Sequence, residues 1–99
     1  MTSNKPKIEV ENVNTPGKTS RVDAVKYLEM KSAFLKVLPD DAPGLNQKEI
    51  LAEVKKLLSE EIFPEGKTSG WWSKTVQLDL EAKGLVVREN SKPLRWYKR

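Results

Sequence analysis

The most regular apolar pattern in the chain lies in its last third. Trp72, Val76 and Leu80 recur every four residues, a spacing that places all three side chains on one face of a helix. Gly84 follows, at a point where a helix end favours a residue that tolerates the left-handed backbone conformation. The pattern therefore predicts a helix over residues 70–83.

A different period begins directly after this helix. The apolar run that starts at Leu85 is rich in β-branched residues and too short for a helix, and a second strand-like run starts at Leu94. The Asn, Ser and Pro residues between the two runs are typical of a turn. We therefore expect a hairpin that joins strands over 85–89 and 94–98.

Two further helices are predicted upstream, and the first begins near Ser20. Asp23 stands three residues later in a spacing like that of a capping box, and Pro39 interrupts the pattern, so the helix is expected over 20–38. Its predicted core face consists of apolar residues that share one side of the helix: Val25, Leu28, Leu35 and Leu38, widened by Val22, Phe34 and Val37.

The second helix has the clearest start signal. Asn46 is a good N-cap, and the Glu49 carboxylate is placed to reach the Asn46 backbone amide. The helix is expected over 47–60. Its buried stripe is predicted to contain five aliphatic residues: Ile50, Leu51, Val54, Leu57 and Leu58.

The first 19 residues contain few apolar side chains. Residues 1–19 are therefore predicted to form a flexible or weakly docked N-terminal arm. Ile8 and Val10 alternate with charged residues, which permits a short edge strand within this arm. Residues 20–99 are predicted to form a single α+β domain with three helices and a C-terminal hairpin, because a chain of 99 residues can bury one modest core.

Charge is distributed unevenly along the chain. The formal net charge is +4, but residues 66–99 carry eight Lys or Arg against three acids, whereas residues 40–65 carry three Lys against seven acids. The C-terminal excess is consistent with a basic face that meets an anion such as a nucleic-acid backbone. An ordinary solvated surface with chance segregation of charge explains the same numbers.

The composition argues against catalysis. The chain contains no cysteine and no histidine, which removes disulfides, thiolates, the usual general base and the usual zinc ligands. No nucleophile is paired with a base, so we expect no enzyme and no catalytic, cofactor-binding or metal site. No apolar run approaches the ~20 residues of a membrane span, and the N-terminus lacks a signal-peptide core, so a cytoplasmic protein without membrane contact is expected.

Two stretches resemble winged helix-turn-helix proteins. Leu80–Val86 is similar to the end of their recognition helix and first wing strand, and Gly44–Leu51 is similar to the start of their second helix. The resemblance implies a three-helix winged fold over 20–99, with a short strand near Gly44–Leu45, although the connection over 62–69 is longer than in a minimal helix-turn-helix. The chain also resembles a small bacterial family of unknown function that shares the Asn-Val-Asn-x-Pro-Gly stretch and the Trp-Trp pair.

The winged-helix resemblance and the basic charge together predict binding to double-stranded DNA, as in a small transcriptional regulator. Hydroxyl, amide and ammonium groups near a helix N-terminus can reach base edges and phosphates in a major groove. Asp79 and Glu81 oppose this prediction, since they are acids on the helix that should face phosphates. The candidate DNA-binding residues are Lys67, Thr68, Ser69, Ser73, Lys74, Gln77, Arg88, Lys92 and Arg95.

The alternative function is a protein-interaction module on the same fold that does not bind DNA. Its face would combine Trp71 with the second helix, which is expected to be acidic. We expect both Trp71 and Trp72 to belong to the core. The alternative is that Trp71 projects from the surface as a contact residue. A protein partner and a homodimer are both compatible with the sequence.

Overall fold

In the computed structural model, which describes residues 5–99, a hairpin precedes three helices and a second hairpin follows them. The α+β class and the C-terminal hairpin agree with the prediction, and a short 3-10 turn at Pro64–Gly66 lies between the last two helices. The elements are β1 (Lys7–Glu11), β2 (Thr19–Asp23), α1 (Ala24–Val37), α2 (Gln47–Lys55), α3 (Ser69–Ala82), β3 (Val86–Glu89) and β4 (Arg95–Lys98).

The helix α3 is the centre of the fold, because α1, α2, β1 and β3 all pack against it. Trp72, Val76 and Leu80 are buried in the core, as the four-residue spacing predicts. The helix ends at a left-handed Gly84 with a φ of 76°. The Leu85 N–H donates to the Leu80 carbonyl at 2.9 Å, which satisfies one of the carbonyls that a helix C-terminus leaves free.

The predicted capping box at the start of α2 is confirmed. The Asn46 side chain accepts from the Glu49 N–H at 2.8 Å, and the Glu49 carboxylate accepts from the Asn46 N–H at 3.0 Å. The predicted end at residue 60 is wrong, since α2 ends at Lys55. There the Leu57 N–H bonds to the Val54 carbonyl three residues back, at 2.8 Å, and this tighter turn terminates the helix.

The predicted start of α1 is wrong, and its predicted core face is right only in part. Asp23, not Ser20, is the N-cap, and its carboxylate accepts from the backbone N–H groups of residues 25 and 26 at 2.8 and 3.2 Å. Val25 and Leu28 are 47% and 54% exposed. The buried residues of α1 and its C-cap are Tyr27, Met30, Ala33, Phe34 and Leu38, so Phe34 and Leu38 of the predicted face are confirmed. Residues 19–23 are extended because they pair with β1, and this pairing moves the helix start by four residues.

The N-terminal hairpin gives part of the predicted arm a place in the fold. β1 pairs antiparallel with β2, from Lys7 opposite Asp23 to Glu11 opposite Thr19. Val10 is buried in the core, so the strand that alternation permitted is present and docked. The division of the chain into an arm and a domain stays a prediction, and residues 1–4 lie outside the described part of the chain.

The C-terminal hairpin is tied to the loop before α2. β3 and β4 pair antiparallel, and Leu45 forms an isolated bridge to Trp96 with reciprocal bonds of 2.9 and 2.8 Å. The preceding Gly44 is required by this approach, because a Cβ at that position would lie 2.0 Å from the Trp96 carbonyl oxygen. The short strand expected near Gly44–Leu45 is thus reduced to one bridging residue.

Candidate functional site

The N-terminal end of α3 is open. Its N-cap, Thr68, has a left-handed φ of 62° and makes no side-chain capping bond to the helix. The Thr68 hydroxyl donates instead to the Lys67 carbonyl, and the Ser69 hydroxyl donates to the Gly66 carbonyl at 2.6 Å. The first turn of α3 therefore lacks the side-chain oxygen that usually covers its N–H groups.

The predicted site residues on and before α3 divide into an exposed set and a buried set. Lys67, Thr68 and Lys74 are exposed. Ser69 and Ser73 are buried, so their hydroxyl groups face the protein rather than an external surface. The helix projection groups Ser73 with Lys74, but the packing of α2 against α3 covers the serine and leaves the lysine outside.

Gln77 is only 2% exposed, and its amide is engaged at both ends. Its oxygen accepts from the Gln47 amide at 3.3 Å, and its amide nitrogen donates to the Glu81 carboxylate at 3.2 Å. These bonds fix the side chain between α2 and the C-terminal half of α3. A direct contact with a base edge would require Gln77 to leave both partners.

The C-terminal hairpin of β3 and β4, which we call the wing, carries two arginines among the predicted site residues, and acidic side chains bind both of them. Arg88 donates twice to the Glu81 carboxylate, at 2.8 and 3.1 Å, and its guanidinium lies 5.8 Å from the centre of the Trp96 ring. Arg95 donates to the Gly44 carbonyl at 3.0 Å and to Glu49 at 3.3 Å. Two charge-assisted bonds to one carboxylate fix the Arg88 guanidinium and cancel much of its field.

Within residues 5–99, the basic residues of the last third that form no ion pair are Lys74, Lys92 and Arg99. The ammonium of Lys67 lies 3.8 Å from Glu65, with both side chains more than 70% exposed, so solvent screens this pair strongly. Lys67, Lys74 and Lys92 are therefore the predicted site residues whose charge is most available to an anion.

A cleft of about 290 Å³ opens between α3 and the wing, and we call it the wing cleft. It brings together three of the predicted site residues, Lys74, Gln77 and Arg88, although they come from different elements. Lys67, Thr68, Ser69, Ser73, Lys92 and Arg95 do not line it. The other residues that line it are Asn14, Gln47, Pro93, Leu94 and Trp96.

A smaller groove of about 110 Å³ lies between α2 and α3, next to the wing cleft, and we call it the helix groove. Gln47, Lys74 and Gln77 line both spaces. Beyond them the helix groove is walled by Ile50 and Leu51. The wing cleft therefore has a polar and basic lining, whereas the helix groove has an aliphatic wall.

Trp71 lies outside the core, so the expectation that both adjacent tryptophans are buried is wrong. It is 57% exposed, and its ring meets the Trp72 ring edge-on with 4.9 Å between centroids. With Thr75 and Leu78 it lines a third space, of about 430 Å³, against the N-terminal hairpin. We call this space the hairpin groove; its lining residues come from the N-terminal hairpin with its connecting turn and from α3, and none from α2.

The burial of Asp79 on α3 was not predicted from the sequence. It is fully buried and accepts from the Tyr27 hydroxyl, from the Glu11 N–H at 2.8 Å and from the Lys83 ammonium at 2.9 Å. Burial and the adjacent Asp79 carboxylate raise the pKa of Tyr27 well above its usual value. Asp79 should therefore repel phosphates little, because its carboxylate is buried and hydrogen-bonded inside the fold.

A signal for this buried acid was present in the sequence. Asp79 follows Val76 by three residues and Trp72 by seven, a spacing that places it on the core side of α3. A charged residue at such a position needs buried partners. The sequence does not indicate which residues supply them, since Tyr27 is 52 positions away.

Neither a cluster of metal ligands nor a membrane-spanning helix is found among residues 5–99. Over residues 5–99, no group of three or more acidic, His or Cys side chains is arranged to hold a metal ion. Among the helices of the same residues, none has both the length and the apolar character needed to cross a membrane.

The chain belongs to a family of unknown function, DUF6958, whose model matches residues 7–96. The match begins at β1 and ends within β4, so it covers both hairpins and all three helices. It agrees with the resemblance to a family of unknown function that the sequence suggested. Comparisons with curated proteins and with solved structures give no significant match.

Proposed function

We propose that the chain is a DNA-binding protein of the winged-helix type, which meets the duplex with the N-terminal half of α3 and with the wing. The order of elements supports the proposal, because α1, a bridging residue, α2, α3 and a two-stranded wing follow each other as in that superfamily. The N-terminal hairpin is an addition to this layout.

The observation that carries the proposal is that α3 and the wing share one cleft. Lys74 of α3 and Pro93 and Leu94 at the wing turn border the same space, so helix and wing face the same side of the molecule. A duplex needs this arrangement, since a helix in the major groove and a wing on the backbone must approach from one direction.

The contacts should be mostly to phosphates. Lys67, Lys74 and Lys92 carry exposed ammonium groups, whereas Ser73 and Gln77 are buried and poorly placed to read bases. Phosphate contacts position a protein on DNA without reading its sequence. We therefore expect weak sequence preference and affinity near the nonspecific range, with a Kd of roughly 1–100 µM at physiological salt.

The experiment is a fluorescence anisotropy titration of a labelled duplex with charge-removing variants. Lys74→Ala and Lys92→Ala should each weaken binding by several-fold, because each removes one phosphate contact and the counterion release that accompanies it. Lys36→Ala is the matched control, since it removes an exposed ammonium near Leu57 on another part of the molecule. Equal losses for all three variants would indicate attraction by net charge alone and would contradict a defined interface.

A second function is favoured by one observation, the exposure of Trp71. Trp71 is a large, exposed aromatic side chain beside Leu78 in the hairpin groove, and such side chains are enriched at protein–protein interfaces. The companion face expected on α2 is not acidic, however, because α2 carries Lys48 and Lys55 against Glu49 and Glu53. A protein-interaction module would thus use Trp71 and the N-terminal hairpin.

Trp71→Ala distinguishes the two functions. In a protein-interaction module this change should abolish binding to a protein partner while the fold is kept, since Trp71 contributes little to the core. In a DNA-binding protein that uses Lys67, Lys74 and Lys92, the same change should alter duplex affinity by less than about threefold. Retained partner binding by Trp71→Ala would exclude Trp71 as the anchor.

A further inference from the structure

Trp96 has an unsatisfied donor beside the wing cleft. The residue is 2% exposed, and its indole N–H has no hydrogen-bond partner among the described residues. Buried polar groups are nearly always paired in native proteins, so such a group calls for an explanation. Trp96 also lines the wing cleft. The indole nitrogen itself is covered, so an acceptor bound in the cleft would reach it through a small shift of the cleft wall.

The other polar groups around the wing cleft are predominantly donors. The Lys74 ammonium makes no hydrogen bond or ion pair with the described residues. Arg88 gives Nε and Nη2 to Glu81, and its Nη1 makes no hydrogen bond within residues 5–99. Gln47 and Gln77 each use one amide N–H in a bond to a neighbour and keep a second.

This set of groups defines the chemistry of a ligand. A carboxylate or phosphate oxygen accepts hydrogen bonds and donates none, which complements an ammonium, a guanidinium and an indole N–H. Glu81 offsets the charge of Arg88, and Lys74 then leaves a local excess of one positive charge. A cationic ligand would meet repulsion from Lys74 and Arg88, and the side-chain oxygen of Gln47 would be an acceptor for it without a partner among residues 5–99.

Size and continuity restrict the ligand further. A volume of about 290 Å³ lies at the lower edge of the roughly 300–1,000 Å³ that small-molecule sites occupy, so the ligand is small. The helix groove adjoins the cleft at Gln47 and is walled by Ile50 and Leu51, which would cover a short aliphatic chain that passes Gln47.

We propose that the wing cleft binds a small organic anion: its oxyanion accepts hydrogen bonds from Lys74, Arg88 and the Trp96 indole, and its apolar portion enters the helix groove. The site goes beyond DNA binding and does not depend on it. Because Lys74 belongs both to this site and to the proposed DNA surface, such a ligand would compete with a phosphate for the Lys74 ammonium.

The test is an NMR titration of the ¹⁵N-labelled full chain with sodium acetate and sodium butyrate at constant ionic strength. The chain has three tryptophans, so three indole N–H signals are expected, and Trp96→Phe or a through-space assignment identifies the one of Trp96. A new hydrogen bond should move that signal downfield in a saturable manner, while the signal of exposed Trp71 stays nearly constant. Butyrate should bind about tenfold more tightly than acetate, because it buries two additional methylene groups.

Variants separate a built site from general attraction. Lys74→Met should weaken butyrate binding about tenfold, since a hydrogen bond to a charged group is lost. Lys92→Met is the matched control: it removes a charge from the wing without touching the cleft, and its effect should stay within about twofold. Both lysines are exposed, so both variants are expected to fold.

Three outcomes would overturn the proposal. The first is a Trp96 indole signal that does not move, or that moves equally with sodium chloride. The second is equal weakening by Lys74→Met and Lys92→Met, which would indicate long-range charge only. The third is butyrate binding no tighter than acetate, which would remove the helix groove from the site. Duplex binding, measured without either anion, reports on the proposed DNA function separately.

Discussion

Two antiparallel hairpins pack against α3, and they do so with different chemistry. The N-terminal hairpin docks through one buried apolar residue, Val10, and through a bond from the Glu11 N–H to the Asp79 carboxylate. The wing docks through Val86 and Trp96, both buried, and through the main-chain bridge to Leu45. The first hairpin thus has a buried charge among its contacts with α3, whereas the second combines apolar area and backbone pairing with the partly exposed ion pair of Arg88 and Glu81.

This difference determines which polar groups remain free. Around the N-terminal hairpin the buried groups satisfy each other, because Asp79 collects Tyr27, Lys83 and the Glu11 N–H. Around the wing the apolar anchor leaves the Trp96 N–H without a partner among the described residues. A closed network favours a structural role, and an open set of donors favours a role in binding.

The largest expected effect comes from breaking the anchor of the wing. Trp96→Ala should lower the free energy of unfolding by about 3–5 kcal/mol, since it removes a buried aromatic side chain and leaves a cavity. The measurement is urea unfolding followed by circular dichroism. Trp71→Ala is the matched control and should cost less, about 1 kcal/mol, because Trp71 is 57% exposed and loses mainly its edge-on contact with Trp72. Similar losses for both would mean that the wing is not anchored by Trp96.

The charge that holds the N-terminal hairpin should matter somewhat less. Asp79→Ala leaves Tyr27, the Glu11 N–H and Lys83 without their common acceptor, and a broken buried pair costs about 3–5 kcal/mol. We expect a loss near 3 kcal/mol, because Lys83 is partly exposed and water can solvate it. Hydrogen exchange should show faster opening of β1 than of β3. A stability loss below about 1 kcal/mol would contradict a network that fixes the first hairpin.

A smaller effect should appear at high pH. The pKa of Tyr27 is raised in the folded protein, whereas an unfolded tyrosine ionises near pH 10, so the unfolded state loses the proton first. The contribution of Tyr27 to stability is therefore complete below about pH 10 and is lost as the pH rises further. The stability difference between the wild type and Tyr27→Phe should shrink by about 1 kcal/mol between about pH 9 and pH 11. A constant difference over this range would show that the hydroxyl is not held as a donor to Asp79.

The same contrast explains what the sequence could predict. Three predicted features depend on residues that are close together in the sequence. They are the capping box of Asn46 and Glu49, the end of α3 before Gly84, and the wing. Such signals act locally, so they survive in the fold. Three of the predicted DNA-binding residues, Lys74, Gln77 and Arg88, line the wing cleft; the cleft itself is not evident from the sequence, and the role of these residues stays a prediction.

The errors arise where distant partners decide. On α1, Val25 and Leu28 form as good an apolar stripe as Tyr27 and Met30, and only packing against α3 and β1 selects the second stripe. The pairing of β2 with β1 is also non-local, which is why the sequence predicts a helix over 20–23 where the structure has a strand. The burial of Gln77 depends likewise on Gln47, 30 positions away.

The most direct test of the proposed function is a duplex titration at about 50 and about 200 mM salt. If Lys67, Lys74 and Lys92 each neutralise one phosphate, affinity should fall about 40-fold between the two conditions, because the slope is about −0.9 per phosphate. Lys74→Ala should lower that slope by about one, and Lys36→Ala should leave it unchanged. Absence of measurable binding at about 50 mM salt, or a slope that Lys74→Ala does not alter, would contradict a DNA interface formed by α3 and the wing.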